Sequence, residues 1–545
     1  MAISNENLSR ANEPLTPISM KPPPAKRRKL TGRALYESLG SPKMILAPMV
    51  DQSEFAWRIL TRSFMDPERP KDLLAYTPMF HARMFTETTK FRDHHFQPTK
   101  SGLASCPKSE DHLTDLYLDG RPEIDRPLFV QFCANSPDEL LEAARYVEPF
   151  CDAVDLNLGC PQGIARRGNY GAFLQEDWDL IYRLINKLHT NLDVPVTAKM
   201  RILESKEKTL DYAKMILSAG ASIITVHGRQ REQKGHKTGL ADWSVLRYLR
   251  ANLPPDTVLF ANGNILQHND ISRCLEETGA DGVMSAEGNL HDPTIFAKPP
   301  PVGHEGREYW RGRDGKGGYR MDAIFRRYMD ILYKYVLEKP APPRIPLFLP
   351  SDPLFDVPQT ITNGDAKDKA SDQPPAKRQK RDDRPTSPNL LAMQPHLFDF
   401  LRPLITKHTN IRDALARSRA GDMSAYENVL QMVEAAIKEG LLDYASDPAK
   451  YEDTAIPDAD EQAANLDEDE SSVATVKARR RPWWVCQPYV RPLPKEALEN
   501  GSLTLSKKER KKLEEVRAGK SEREELDEED GMERKEVVRE AMVAG

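Results

Sequence analysis

Cys151-Asp-Ala-Val-Asp-Leu-Asn-Leu-Gly-Cys-Pro-Gln162 is the stretch on which the fold turns. Its first eight residues have the aliphatic and β-branched content of a short buried strand, and Gly159 with Pro161 ends the run abruptly. Cys160 is thereby left on a strand-to-loop corner. The segment that follows, Gly163-Ile-Ala-Arg-Arg-Gly-Asn-Tyr-Gly-Ala172, is rich in glycine and carries Arg166 and Arg167, so it reads as a mobile, cationic loop. Two readings of the thiol stand side by side. It is the small buried hydrophobe that a free cysteine usually is, or a reactive group beside a loop suited to an anionic polymer.

Outward from this strand the texture repeats. Short apolar runs occur at Met44–Met49, Leu73–Pro78, Leu128–Phe132, Val194–Met200, Ile223–His227, Val258–Asn262 and Gly282–Ala286. Amphipathic stretches lie between several of them. In Ser136-Pro-Asp-Glu-Leu-Leu-Glu-Ala-Ala-Arg-Tyr-Val147, Ser136 and Glu139 have capping-box spacing and Pro137 takes the first helical position. Near-continuous apolar strands alternating with helices predict a parallel sheet covered on both faces. Eight such units in about 250 residues predict an α/β protein built as a (β/α)8 TIM barrel rather than an open doubly wound sheet.

A barrel gives the polar residues a common address, because ligand sites in this fold lie at the C-terminal ends of the strands. Pro48 and Met49, Gln131, Asn157 and Cys160, Lys199 and Arg201, His227 and Arg229, Asn262-Gly-Asn264 and Ala286-Glu-Gly288 all stand there. A lone strand histidine is usually a satisfied core group, and a lone lysine usually reaches the surface. Polar signals at six matching ends are harder to explain that way. The glycines of the last two strands let backbone amides approach a phosphate.

The flanks differ from the barrel. With 43 prolines and 30% charged residues in 545, part of the chain is expected to stay outside any core. Residues 1–40 read as a disordered basic arm, 41–317 as the barrel, and 318–345 with 389–446 as a helical domain. A disordered insert, 346–388, splits that domain, and 447–545 reads as a charged, largely disordered tail. Pro22-Pro-Pro-Ala-Lys-Arg-Arg-Lys29 and Pro374-Pro-Ala-Lys-Arg-Gln-Lys-Arg381 are nuclear-import or RNA-contact signals, or simply solvated tails. The helical domain carries Arg326, Arg327, Lys334, Arg402, Lys407, His408, Arg412, Arg417 and Arg419, a set suited to a phosphate backbone or to a solvated face. Trp483 and Trp484, next to Lys477-Ala-Arg-Arg-Arg481, either stack on bases or pack onto the barrel. The net charge of -5 conceals segregated acidic and basic blocks. The six cysteines have neither disulfide-framework nor zinc spacing, and no apolar run reaches the roughly 18 residues that span a bilayer. The expectation is a protein of a reducing compartment, cytoplasmic or nuclear, with no metal, no membrane segment and a monomeric state.

Taken together, Ala47-Pro-Met-Val50, Val130-Gln131, Asn157-Leu-Gly-Cys-Pro-Gln162, Thr197-Ala-Lys-Met-Arg201, Thr225-Val-His-Gly-Arg229, Ala261-Asn-Gly-Asn264 and Ser285-Ala-Glu-Gly288 resemble the tRNA-dihydrouridine synthases. The likeness runs over roughly residues 40 to 340, and residues 390 to 445 look like the helical continuation of the eukaryotic class acting at D-loop positions 16 and 17. The resemblance implies an FMN-bearing barrel, NADPH or NADH as reductant, and tRNA as substrate. It places Pro48, Met49 and Val50 along the flavin, Gln131 and Lys199 on its ring, and His227 nearby. Asn262, Gly263, Asn264, Ala286 and Glu287 would hold its phosphate. Many relatives have Gly-Arg where this chain has Ala286-Glu287, so backbone amides are expected to do more at that spot. Reduction of the uracil C5–C6 bond takes a hydride at C6 and a proton at C5. A free thiol, with its pKa of about 8.5, is protonated at neutral pH, which makes Cys160 the expected acid. Arg166, Arg167, Arg201 and Arg229 are the expected grips on the extruded base and its phosphates. Two other readings are a small-molecule flavin reductase of the dihydroorotate dehydrogenase or old yellow enzyme type, and a non-catalytic barrel that docks RNA.

Overall fold

Each of the eight apolar runs forms a strand, because a strand packed by barrel interior on one face and by helices on the other must be apolar on both. The computed structural model describes residues 29–103, 115–353, 387–452 and 471–503. The strands are β1 (Met44–Leu46), β2 (Leu73–Tyr76), β3 (Phe80–His81), β4 (Leu128–Cys133), β5 (Ala153–Leu158), β6 (Val196–Arg201), β7 (Ile223–His227), β8 (Val258–Asn262) and β9 (Gly282–Ser285). They lie in the order β2-β1-β9-β8-β7-β6-β5-β4, and β2 also pairs with β4, which closes an eight-stranded barrel. Every pairing in the ring is parallel. The two-residue β3 has no counterpart among the apolar runs; it lies beside the upper end of β4. Every residue of β4, β5 and β8 is buried, polar ones included. Helix Pro137–Val147 starts as its sequence indicates, with Pro137 at its first position and the Ser136 hydroxyl accepting from Glu139 N.

Three expected boundaries change. The basic arm gives way to structure before residue 40. Helix Gly32–Ser38 sits under the barrel, where the buried Tyr36 hydroxyl donates to Asp281 O at 2.9 Å and Arg33 pairs with Asp281 at 2.6 Å. The start of the insert is also ordered, since Leu347 is buried and Arg307 pairs with Asp352 at 2.6 Å. Most consequentially, residues 471–503 of the expected disordered tail form helices Ser472–Arg479 and Pro494–Glu499 and an extended segment between them. Its anchor is Trp484, fully buried against Trp310 and Tyr451 at ring separations of 5.8 and 4.9 Å. Cys486 N donates to Tyr319 O, which attaches the segment to the hairpin β10 (Tyr309–Arg311) and β11 (Gly317–Tyr319). Gly440 permits this approach: a Cβ there would come within 2.8 Å of both Trp483 and Trp484. Of the two readings of Trp484, stacking on bases or packing onto the protein, the structure has packing. Most of the first basic cluster, the whole second one, the acidic run Asp467–Glu470 and the tail beyond residue 503 lie outside the described residues.

The helical domain comprises Met321–Ile331 and, after the insert, Met393–Phe400, Arg402–Lys407, Thr409–Arg417 and Met423–Ser446. It docks on the barrel helix Phe55–Arg62 through a buried polar stack. The rings of Trp57 and His396 lie 3.9 Å apart and nearly parallel, while His396 Nε2 meets the Glu54 carboxylate at 3.0 Å.

Candidate active site

The C-terminal end of the barrel is organised by a carboxylate in its interior. Asp155 and Asn157 alternate on β5, so both side chains leave its inner face. Asp155 accepts from Gln131 Nε2 at 2.8 Å and from Thr197 Oγ1 at 2.6 Å. Gln131 Oε1 then accepts from Asn157 Nδ2 at 2.7 Å, and Asn157 Oδ1 accepts from the backbone N–H groups of Gly159 and Cys160 at 3.1 and 2.9 Å. An ionised carboxylate can only accept, which orients both amides in series. The cysteine backbone is thus held by a relay that starts in the core. Burial pushes the Asp155 carboxyl up to about 6, and the bonds from Thr197 and Gln131 hold it from rising further.

Cys160 is half-buried, beside Tyr170 and Cys133. The loop after it is more ordered than its glycine content suggests: Gly163–Arg167 is a short helix and Gly171–Glu176 a 3-10 turn. Gly171, at φ +64°, lets the returning loop press on the cysteine, since a Cβ there would lie 2.9 Å from Cys160 Cβ. Arg166 and Arg167 are exposed on the short helix.

The other expected site residues gather on the opposite side of the mouth. Lys199 Nζ donates to Asn262 Oδ1 at 2.9 Å, and Asn262 Nδ2 donates to Met284 O at 2.9 Å. Burial, and after it the neighbouring Arg201, lowers the Lys199 ammonium to about 8. His227 is pushed well below its usual range by burial and by Arg201, Lys199 and Arg229, so its imidazole is neutral at physiological pH. Its Nε2 faces Arg229 Nη1 at 3.1 Å and must accept, which puts the ring proton on Nδ1. A cleft of about 320 Å³ opens here, lined by Arg201, His227, Arg229, Asn262, Gly263, Asn264, Ala286 and Glu287 among others. Pro48, Met49 and Val50 follow β1 at the same end of the barrel, with Met49 buried and Val50 exposed. They, Gln131, Lys199 and Cys160 do not line this cleft, although Pro161 and Gln162 do.

Two of the four arginines expected to grip substrate have work inside the protein. Arg201 donates to Gly159 O at 2.7 Å and Gln230 O at 2.9 Å. Arg229 donates to Gly239 O and Asn264 Oδ1, each at 2.8 Å. Both brace the walls of the mouth, and burial lowers both guanidinium groups to about 10. In the helical domain Arg326 pairs with Glu434, and Arg327 pairs with Glu308 and lies 4.1 Å from the Phe64 ring, so these two are also engaged. Arg417 and Arg419 remain exposed. Sequence reading passed over Asp155 and Thr197 as site residues. The signal was present, since Asp155 and Asn157 occupy alternate positions of an otherwise apolar strand.

Among the described residues no helix is long and apolar enough to cross a membrane, and no group of His, Cys, Asp or Glu is arranged to hold a metal ion.

Comparison with known proteins agrees with this geometry. The family model described as dihydrouridine synthase (Dus) matches residues 45–309, which contain the whole mouth apart from residues of the C-terminal segment. The chain is 42% identical over 468 residues to a Saccharomyces cerevisiae protein named tRNA-dihydrouridine(16/17) synthase, NAD(P)(+), covering 86% of this chain and 88% of that one. A Schizosaccharomyces pombe protein of the same name is 41% identical, with 86% and 92% covered. A Mus musculus protein named as like this synthase is 45% identical over 285 residues, or 52% of this chain and 54% of that one. On the strength of a relation extending well beyond the barrel, the chain belongs to the dihydrouridine synthase family.

Proposed function

We propose that this protein reduces the C5–C6 double bond of uridines in the tRNA D-loop, at positions 16 and 17, using FMN recharged by NADPH or NADH. The observation that carries the reading is the Cys160 thiol, half-buried at the end of β5 with its backbone fixed from below by the Asp155–Gln131–Asn157 relay. The residues present suit a flavin. Lys199 offers N–H donors for its ring, with Gln131, which is bound to Asp155, expected beside it; the glycine and asparagine turn after β8, beside Arg229, suits its phosphate. Pro48, Met49 and Val50 would lie along the ring, with His227 near it. Asn262, Gly263, Asn264, Ala286 and Glu287 would line the phosphate end. Bound and reduced, FMN supplies the hydride that uracil C6 receives.

The chain's own part in the reaction is acid catalysis and positioning. Cys160 Sγ–H gives its proton to C5, and the resulting thiolate is reprotonated from solvent through the open mouth. The neutral His227 adds no charge to the cleft it lines. Uracil inside a folded tRNA must be extruded to reach the thiol. Arg166 and Arg167, exposed on the short helix after Cys160, would hold the flanking phosphates, and the exposed Arg417 and Arg419 of the helical domain offer further phosphate contacts.

The test is the visible spectrum of the purified protein, followed by dihydrouridine formation in unmodified tRNA with NADPH, wild type beside Cys160→Ala. The wild type is expected to be yellow and active. The variant keeps its flavin and loses about 100-fold or more in turnover, as removal of a general acid does. A colourless wild type, or a variant as fast as wild type, overturns the assignment.

A further inference from the structure

The cleft at the ends of β7, β8 and β9 is not made by the barrel alone. Its outer wall comes from the C-terminal segment, where Thr475, Arg479, Tyr489 and Arg491 face the cleft. That wall is held at several points. Arg479 pairs with Asp270 at 3.0 Å, Tyr489 packs on His291 with rings 4.9 Å apart, and Glu496 accepts from both Leu493 N and Ser472 N, tying the two ends of the segment together. A wall this well fastened is part of the site.

The charges in the cleft pose a problem that this wall solves. Glu287, directly after β9, places a carboxylate where the turn after β8 offers room for an anion. A phosphate brought there meets a like charge. Arg229 cannot offset it alone, because its N–H groups are committed to Gly239 O, Asn264 Oδ1 and His227. Arg491 reaches in from the C-terminal segment and grips Glu287 with two bonds, Nε to Oε2 at 3.0 Å and Nη2 to Oε1 at 2.5 Å. Its Nη1 group has no partner among the described residues. Arg229 senses both members of the pair, Glu287 and Arg491.

We infer that Arg491 is the cation that receives the terminal phosphate of the flavin, with Glu287 holding the guanidinium in place, so the C-terminal segment forms part of the cofactor site. The inference rests on the flavin reading above. It also answers the expectation that backbone amides must compensate for the missing arginine at Ala286-Glu287: an arginine is supplied to that spot from some 200 residues further along the chain. Such a cation acts on FMN and not on riboflavin, which has the same ring and no phosphate.

The experiment measures binding of FMN and of riboflavin by equilibrium dialysis to the flavin-depleted full-length chain, for wild type, Arg491→Gln and Arg491→Lys. Loss of one charge-assisted phosphate contact is expected to weaken FMN by about 10- to 100-fold in Arg491→Gln. Riboflavin affinity stays at its wild-type value, showing that the ring site is intact, and Arg491→Lys recovers part of the FMN affinity. Equal losses for both flavins would assign Arg491 a structural role and overturn the inference, as would an unchanged FMN affinity. A wild-type chain that takes up neither flavin removes the flavin reading itself, and this inference with it.

Discussion

Asp155→Asn separates the cost of the buried carboxylate from its use. Folding raises this group from 3.8 to about 6. The folded state therefore holds the proton more tightly, and the stability that Asp155 contributes is complete below 3.8 and is lost as pH rises through 6. Integrated from pH 4.5 to 7.5, the loss is about 2 kcal/mol. The amide does not titrate, so the unfolding free energy of wild type minus that of Asp155→Asn should fall by this amount over the interval, with wild type relatively more stable in acid. Denaturant unfolding of both proteins at several pH values, followed by tryptophan fluorescence, reads this difference directly. Turnover should respond differently. Thr197 can turn its hydroxyl to accept from the new amide, so Gln131 and Asn157 keep their orientation and Asp155→Asn keeps its activity at pH 7.5. Asp155→Ala leaves the donors of Gln131 and Thr197 without an acceptor and frees both amides to rotate; its turnover should drop by about tenfold. A stability difference that does not move with pH, or an Asp155→Ala protein as active as Asp155→Asn, would refute the reasoning.

Three further outcomes follow from other contacts. Lys199, lowered from 10.5 to about 8, destabilises the fold at pH 7 by about 3 kcal/mol, a cost that disappears as pH rises from 8 to 10.5. Lys199→Met should therefore melt no lower than wild type at pH 7 while losing turnover, and the alkaline limb near pH 8 in the wild-type rate profile should be absent from the variant. His396→Ala removes the stack on Trp57 and leaves Glu54 buried without its partner; a loss of about 3 to 5 kcal/mol is expected, seen as a lower melting temperature and early proteolysis between the barrel and the helical domain. Trp484→Ala should cost about 3 to 5 kcal/mol of the docking of residues 471–503, and hydrogen exchange should rise there before it rises in the barrel strands.

The barrel was legible because its signal is local and repeated. Every strand is buried and mostly apolar, so each run declared itself within a short window of residues, and the strand ends followed from the fold. The elements that escaped notice draw their stability from distant partners. Trp483 and Trp484 were visible beside a basic run, but whether Trp484 packs turns on Trp310 and Tyr451, which lie in other parts of the chain. Tyr36 is likewise the main buried ring of a seven-residue helix that needs Asp281 to hold it. Composition averages such residues away. Arginines misled in the same manner: Arg201, Arg229, Arg326 and Arg327 count as free charge in a sequence, and only the fold shows the carbonyls and carboxylates that occupy them.

Sequence left two readings of Cys160 open, and its burial sets it apart from the other described cysteines. Five cysteines fall among the described residues. Cys133, Cys151, Cys274 and Cys486 are at most 4% exposed, and burial pushes all four thiols up. They are the small hydrophobes that free cysteines usually become. Cys160 alone of the five is only half-buried, and it is so because of its neighbours: Gly159 and Pro161 stop β5 one residue either side of it, Gly171 lets the next loop close on its backbone, and Asn157 accepts its N–H. A cysteine two positions earlier, in place of Leu158, would lie on the outward face of β5 with its thiol buried under the surrounding helices. The corner that makes the stretch look ill-suited to a core is the feature that presents Sγ at the mouth.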